Sequence, residues 1–129
     1  MEQHEIKHPF EEDLSFLYGT IITGEPHDTG HHSRNVCVFA GGEVDRSSTG
    51  SGVSARAAIH HAKGKLKTGE EITVESILDM LMTVKVTEKT KYGPFDAVIR
   101  EVSGTASFTG QHRFYFDTDD PIRRGFIFK

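Results

Sequence analysis

The segment VDRSSTGSGVSARAAIHHAKG, residues 44–64, carries the strongest chemical signal in the sequence. Asp45 is followed by hydroxyl residues and glycines, which lead into a stretch typical of a helix. The first N–H groups of a helix lack intrahelical partners and, with the helix dipole, bind carboxylates and phosphates. Thr49, Gly50 and Ser51 supply that geometry, and Asp45 can receive an ammonium group. An anion site beside a cation site is what an amino acid requires.

Two other interpretations of this segment compete with that one. In the first, Thr49 or Ser51 merely caps the helix and Asp45 closes a turn, which is a common arrangement. In the second, GSGVSA (50–55) is a dinucleotide-binding loop, but the preceding predicted strand ends near Ala40 and no βα alternation follows. A P-loop is excluded because no Gly-Lys-Ser/Thr closes the run. No cofactor is predicted.

The histidines raise the question of a metal site. His27, His31 and His32 lie in a segment of loop composition, and His60 and His61 lie on the predicted helix. Zinc needs three or four converging ligands, whereas adjacent helical positions point about 100° apart. Solvated or capping roles fit these histidines better, so no metal site is predicted.

Charge and cysteine content limit the functional classes. A net charge of −4 argues against nucleic-acid binding, and no stretch approaches the roughly 18 apolar residues of a membrane helix. The single cysteine, Cys37, excludes an internal disulfide and fits a reducing cytosol, so a cytoplasmic location is predicted. Its apolar surroundings favour a core position over a nucleophile.

One helix and several strands must position the candidate residues. The helix is predicted from residue 51 to about residue 63, with Gly64 as its C-terminal cap and Val53, Ala57 and Ala62 on its buried face. The chain, 1–129, is predicted to be a single α+β domain of mainly antiparallel strands around one principal helix. The predicted strands are 17–23, 35–40, 71–76, 81–88, 96–101, 104–110 and 112–117, followed by a turn and a last apolar segment in 117–129.

DRSSTGSGVSAR, residues 45–56, resembles the second active-site motif of the proline racemase family, D-R-S-P-C-G-T-G-T-S-A-R. The resemblance continues, in order, through FLYGTIITG (16–24), RNVCVFAGGEVDRS (34–47), HAKGKLKTGEE (61–71) and GTASFTGQHRFYFDTDDPIRRGF (104–126). It implies one lobe of a two-lobed α/β fold like that of diaminopimelate epimerase, with the active site between the lobes.

The resemblance also implies which reaction is favoured. In the family's racemases and epimerases, two cysteines face the α-carbon from opposite sides. One belongs to a Met-Cys-Gly-His type motif that these 129 residues lack, and Thr49 stands in place of the other. A hydroxyl is a far weaker acid than a thiol of pKa about 8.5, so it is a poor partner in reversible proton exchange. Loss of a β-hydroxyl needs only one good base, and the family's dehydratase branch, acting on trans-3-hydroxy-L-proline, carries threonine here.

The motif assigns a role to each residue of the segment. By resemblance, Asp45 holds the ring ammonium of the small imino-acid substrate, and Gly50 and Ser51 bind its carboxylate through N–H groups. Thr49 lies over one face of the α-carbon, where it can assist loss of the β-hydroxyl. The general base is expected in an N-terminal lobe outside these residues, so the chain is expected to be a C-terminal part with little or no activity alone.

Two functional alternatives accompany this expectation. One is a truncated, non-catalytic homologue that binds an imino acid or a partner, with a homodimer formed through an exposed apolar lobe face. The other is a racemase or epimerase, which Thr49 disfavours.

Besides Thr49, the sequence departs from the family pattern at other positions. Ser48 replaces the family's proline, and Ser51 its usual threonine. SILDMLMTVKV (76–86) lacks the Gly and Phe that the family usually shows after ESI, so the local turn and packing are expected to differ.

Overall fold

The computed structural model describes residues 6–126. It contains one short 3-10 turn, one α-helix and five strands, in agreement with the predicted α+β class. In chain order these are the turn Glu12–Leu14, β1 Gly19–Gly24, β2 Ser33–Phe39, α1 Gly50–Ala62, β3 Glu71–Ser76, β4 Leu81–Tyr92 and β5 Phe95–Gly104.

The five strands form a single sheet in the order β1-β2-β3-β4-β5. Three neighbouring pairs are antiparallel, as predicted. The pair β2–β3 is parallel and short, with residues 33–35 opposite residues 74–76. A parallel pair requires a crossover connection, and α1 lies within that connection. Residues 40–49 connect the end of β2 to the start of α1 within this crossover.

The core lies between α1 and one face of the sheet. Val53 and Ala57 of the helix pack with Leu66 and with a set of buried strand valines: Val74, Val84, Val86 and Val98. The first turn of α1 comes so close to β1 that a Cβ on Gly52 would overlap Cδ1 of Ile21. A glycine at this position therefore lets the beginning of the helix pack against the sheet.

The helix bounds agree with the prediction to within one residue, and Gly64 takes the positive φ of +69° expected of a C-terminal cap. The predicted burial of Ala62 is wrong, since that residue is exposed. The chain turns back after α1, where His61 Nδ1 hydrogen-bonds to the Leu66 carbonyl at 2.8 Å. Leu66, at 1 % exposure, fills the core in place of Ala62.

The strands predicted at 104–110 and 112–117 are absent, because β5 ends at Gly104 and residues 105–117 follow without regular secondary structure. Alternating side chains specify a strand only where a neighbouring strand pairs with it, and none within residues 6–126 does so here. Turns follow at 118–119 and 121–124, while the end of the predicted apolar segment, 127–129, lies outside the described residues. No helix in the described part of the chain is long and apolar enough to cross a membrane.

Candidate functional site

The turn that precedes α1 is fastened by the carboxylate of Asp45. Its Oδ1 accepts a hydrogen bond from the Ser47 N–H, and its Oδ2 accepts one from the Thr49 hydroxyl, both at 2.8 Å. The Ser47 hydroxyl in turn accepts the Thr49 N–H at 3.0 Å. These hydrogen bonds hold Asp45 and Thr49 side by side at the start of the helix.

Two opposing effects act on the pKa of the Asp45 carboxyl. Desolvation raises this pKa, whereas the Ser47 N–H, the Thr49 and Ser47 hydroxyls and the Arg46 charge lower it, and the net pKa lies below its ordinary value. The group is therefore ionised at neutral pH. Because a carboxylate can accept about four hydrogen bonds, Asp45 can bind an ammonium group while still holding the turn.

Thr49 occupies the N-cap position of α1 with φ 63° and ψ 97°. A positive φ is rare for a β-branched residue. The side chain does not cap the helix, because its hydroxyl donates to Asp45 instead. The capping alternative is thus half correct: Asp45 closes a turn and Thr49 stands at the cap position, but the hydroxyl has another partner.

The start of α1 leaves backbone donors available. The first intrahelical hydrogen bond is accepted by the Thr49 carbonyl, at 2.8 Å from the Val53 nitrogen. The N–H groups of Gly50 and Ser51 precede that bond and lie at the positive end of the helix dipole. The structure therefore brings Asp45, Thr49, Gly50 and Ser51 together, with donors suited to a carboxylate beside an acceptor suited to an ammonium group.

Met82 is a neighbour of this turn that sequence reasoning missed. A Cβ on Gly50 would lie 4.0 Å from both Sδ and Cε of Met82. The two residues are far apart in the sequence, and only the packing of α1 on β4 brings them together, so no local pattern could have revealed the contact.

Arg56 is a second missed residue, which fastens α1 to β2. Its guanidinium donates to the Ser33 hydroxyl at 2.9 Å and to the Asn35 side-chain carbonyl. The sequence spacing could have identified Arg56, because it lies three residues after the buried Val53 and so on the same side of the helix.

The histidines fall into separate structural groups. His31 contacts the buried carboxylate of Glu75 at 2.8 Å, and His27 contacts Asp79 at 3.0 Å. The rings of His32 and His60 pack edge to face, with their centroids 4.8 Å apart. None of these histidines touches the turn around Asp45 through a hydrogen bond or ion pair described here.

Glu75 closes the loop between β1 and β2. Its carboxylate accepts the N–H groups of Asp28 and His27, and with the His31 ring these lower the pKa of Glu75 to about 2. His27, Glu75 and Asp79 place ligand atoms within 4.8 Å of one another. The guanidinium of Arg34 already contacts both His27 and Asp79, so this cluster acts as an ion-pair network that ties the loop to β2.

Comparison with known proteins places this geometry in a family. The family model described as proline racemase matches residues 1–127. The chain is 47% identical over 127 residues to trans-3-hydroxy-L-proline dehydratase of Colwellia psychrerythraea and 46% identical over 129 residues to that of Homo sapiens. It is 41% identical over 128 residues to proline racemase of Clostridioides difficile. These matches cover 98%, 98% and 99% of this chain, but 36%, 36% and 38% of the relatives.

Solved structures agree with the sequence matches. A hydroxyproline epimerase from Agrobacterium vitis, with bound trans-4-OH-L-proline, matches 97% of this chain and 35% of its own, with a TM-score of 0.80 and 30% identity. A probable proline racemase from Agrobacterium radiobacter, with bound carbonate, matches 94% of this chain and 35% of its own, with a TM-score of 0.79 and 26% identity. The chain spans about a third of the length of these relatives. It belongs to the proline racemase family.

Proposed function

We propose that the chain supplies the carboxylate- and ammonium-binding half of the active site of a trans-3-hydroxy-L-proline dehydratase-like lyase. The observation that carries the proposal is the juxtaposition of Asp45, Thr49 and the open start of α1, held by hydrogen bonds of 2.8–3.0 Å. Identity of 47% to a dehydratase of that substrate supports the choice of substrate class.

A zwitterionic imino acid fits this arrangement through both of its charges. The ionised Asp45 takes the ring ammonium, and the N–H groups of Gly50 and Ser51 take the carboxylate, assisted by the helix dipole. With both ends held, the α-carbon lies over Thr49. Desolvation on binding strengthens both ionic contacts.

The chemistry then needs a base that this site does not supply. Dehydration removes the α-proton and the β-hydroxyl as water, and the resulting enamine tautomerises to a cyclic imine. Cys37, the single thiol, is buried in β2 at 4 % exposure, so the base is expected on another lobe. The Thr49 hydroxyl donates its hydrogen bond to Asp45, which positions Thr49 and makes it a poor partner for reversible proton exchange.

Substrate binding tests the assignment of Asp45. We expect Asp45→Asn to weaken binding of trans-3-hydroxy-L-proline by at least about tenfold in calorimetry, since it removes a hydrogen-bonded charge pair. Asp96→Asn is the matched control, because Asp96 is exposed and forms a surface ion pair with Lys91. Equal binding by the wild type and Asp45→Asn would contradict the proposal.

Turnover tests the division of the site between lobes. The 129-residue chain alone is expected to form no cyclic imine from trans-3-hydroxy-L-proline. Activity is expected once a family first lobe carrying the cysteine base is added. Formation of the imine by the chain alone would disprove the claim that the general base lies outside it. Absence of turnover with both lobes present would count against the dehydratase assignment.

Similarity to a hydroxyproline epimerase structure favours epimerisation as a second candidate. It requires two-sided proton exchange, which Thr49 does not favour. Epimerisation is measured as the incorporation of solvent deuterium at the α-carbon of recovered substrate. We expect no such incorporation.

A further inference from the structure

A cavity of about 410 Å³ lies beside the start of α1. Its volume is within the roughly 300–1,000 Å³ typical of small-molecule pockets. One side of the cavity is apolar, with Leu78 and Met80–Met82, and the other is formed by Arg46, Ser47 and Ser48. The segment that follows β5, around Thr105, closes the remaining side.

Met82 connects this cavity to the candidate site. It lines the cavity, and its Sδ and Cε lie 4.0 Å from the Cβ position of Gly50. The same side chain packs on Gly104, where a Cβ would lie 3.4 Å from Cγ of Met82. The Met82 side chain therefore lies next to both the first residue of α1 and the cavity.

Ser48 is an independent indication that the cavity accepts a ligand. The residue is 1 % exposed, it lines the cavity, and its Oγ has no hydrogen-bond partner among the described residues. A buried hydroxyl without a partner is unfavourable, and buried polar groups are nearly always satisfied. The Ser48 hydroxyl oxygen is itself covered, so a ligand atom reaches it when neighbouring side chains move, and the flexible methionines of the cavity allow such movement.

Two departures from the family pattern meet at this cavity. Ser48 stands at the family's proline, and Leu78–Met82 lies where the family usually has Gly and Phe. Within that segment Asp79 takes φ 59°, a conformation that glycine adopts without strain. The shape and polarity of the cavity therefore come from residues that distinguish this chain.

We propose that the cavity is the subsite for the hydroxylated ring of the bound imino acid. The Ser48 hydroxyl donates to the ring hydroxyl, and Met82 packs on the apolar face of the ring. This inference rests on the proposed function, because a carboxylate at Gly50 sets the ring beside Met82. It makes Ser48 and Met82 specificity-determining residues that favour a hydroxylated ring over an unsubstituted one.

Occupancy of the cavity can be read from its methionines. The chain is labelled with ¹³C at the methionine methyls and titrated with 3-hydroxypyrrolidine, which carries the hydroxylated ring without a carboxylate. The methyl signals of Met80 and Met82, assigned through Met80→Leu and Met82→Leu, are expected to shift to a plateau. Unshifted signals throughout the titration would overturn the subsite.

The Ser48 contact has its own test, with Ser48→Ala compared against the exposed Ser103→Ala on β5. Removing an unpartnered hydroxyl leaves no other group unsatisfied, so Ser48→Ala is expected to fold. The wild type and Ser103→Ala are expected to bind 3-hydroxypyrrolidine about threefold to tenfold more tightly than pyrrolidine, and Ser48→Ala to bind both equally. An unchanged preference in Ser48→Ala would overturn the assigned contact.

The two proposals fail in different ways. If 3-hydroxypyrrolidine shifts both methyl signals but Asp45→Asn does not weaken binding of trans-3-hydroxy-L-proline, the cavity binds a hydroxylated ring but the proposed function is wrong, and with it the imino acid as the source of that ring. If Asp45→Asn abolishes that binding but neither the imino acid nor 3-hydroxypyrrolidine shifts the methyl signals, the proposed function stands and the subsite is wrong.

Discussion

Thr49 combines an unfavourable backbone conformation with the central hydrogen bond of the candidate site. Its φ of 63° is disfavoured for a β-branched side chain, while its hydroxyl donates to Asp45 at 2.8 Å. Strain of this kind amounts to about 1–3 kcal/mol and persists where the surroundings over-determine it. Here Asp45 and Ser47 provide that constraint through the hydrogen bonds of the turn.

The strain can be separated from the hydrogen bond with two variants. Thr49→Gly and Thr49→Ala both remove the hydroxyl, but only glycine adopts a positive φ readily. We expect Thr49→Gly to be more stable than Thr49→Ala by about 1 kcal/mol, measured by urea denaturation. Equal stability, or a more stable alanine variant, would show that Thr49 is not strained.

At the residue scale, the sequence predicted those residues of the candidate site that lie in one contiguous segment. Asp45, Thr49, Gly50 and Ser51 lie within seven positions, so one turn and one helix start were enough to bring them together. The contact of Met82 with Gly50 could not be predicted in this way, because it depends on how α1 packs on the sheet.

At the scale of elements, the end of α1 and the beginning of β2 meet through two histidine rings. Burial lowers the pKa of His32, and the charge of Arg56 lowers it further. Burial also lowers the pKa of His60, together with the positive charges of His32, Arg56, Lys65 and Lys63. Both rings are therefore kept neutral in the folded protein at pH values where an exposed histidine becomes charged.

This contact makes stability depend on pH. In the unfolded chain both histidines have a pKa of about 6.5, so below that pH the unfolded state binds protons that the folded state does not. Stability is complete above about pH 6.5 and declines as the pH falls towards the lowered folded pKa values. Asp45 and Glu75 stay ionised in this range, since the pKa of each is lowered, and they add no change there.

We expect the urea midpoint of the wild type to fall between about pH 7.5 and about pH 5.5. His60→Gln should reduce that fall, because it removes one of the two titrating rings. His112→Gln is the control, since His112 is exposed beyond β5 and is expected to leave the fall unchanged. A fall of the same size in His60→Gln and the wild type would exclude this contact as its source.

Element prediction succeeded where local pattern and pairing agree. The strand β3 has the predicted bounds, and α1 differs by one residue at each end. The strands β4 and β5 continue beyond the predicted 81–88 and 96–101, because pairing across their hairpin also orders residues 89–92 near its tip and residues 102–104 at its other end. The segments 104–110 and 112–117 have the alternating pattern of a strand, but no neighbouring strand within residues 6–126 pairs with them. The prediction from the pattern alone was therefore wrong.

At the scale of the whole molecule, the segment after β5 presents large apolar side chains to solvent. Phe114, Tyr115 and Phe116 are 78%, 80% and 78% exposed, and Phe108 is fully exposed. Clustered exposed aromatic residues of this kind mark contact surfaces. The chain spans only about a third of its relatives, so in a longer protein these side chains have more polypeptide to contact.

We therefore expect the 129-residue chain to self-associate as its concentration rises, seen as a mass above that of the monomer in light scattering. Phe114→Asp combined with Phe116→Asp should restore the monomer mass, because it places charges on the exposed apolar segment. Thr87→Asp combined with Thr90→Asp, on exposed positions of β4, is the control and should still associate. A wild type that stays monomeric at every concentration would contradict this expectation.

The short parallel contact between β2 and β3 divides the sheet into two halves. Residues 33–35 opposite residues 74–76 form this seam, whereas β1–β2 and β4–β5 are long hairpins of local contacts. The helix α1 also crosses this seam, because Arg56 binds Ser33 of β2 and Ala57 packs in the core with Val74 of β3. Asp45 belongs to the first half, since its N–H donates to the Cys37 carbonyl at 3.1 Å, and Met82 belongs to the second. A molecule bound between Asp45 and Met82 would therefore contact both halves of the sheet and add a further link across the seam.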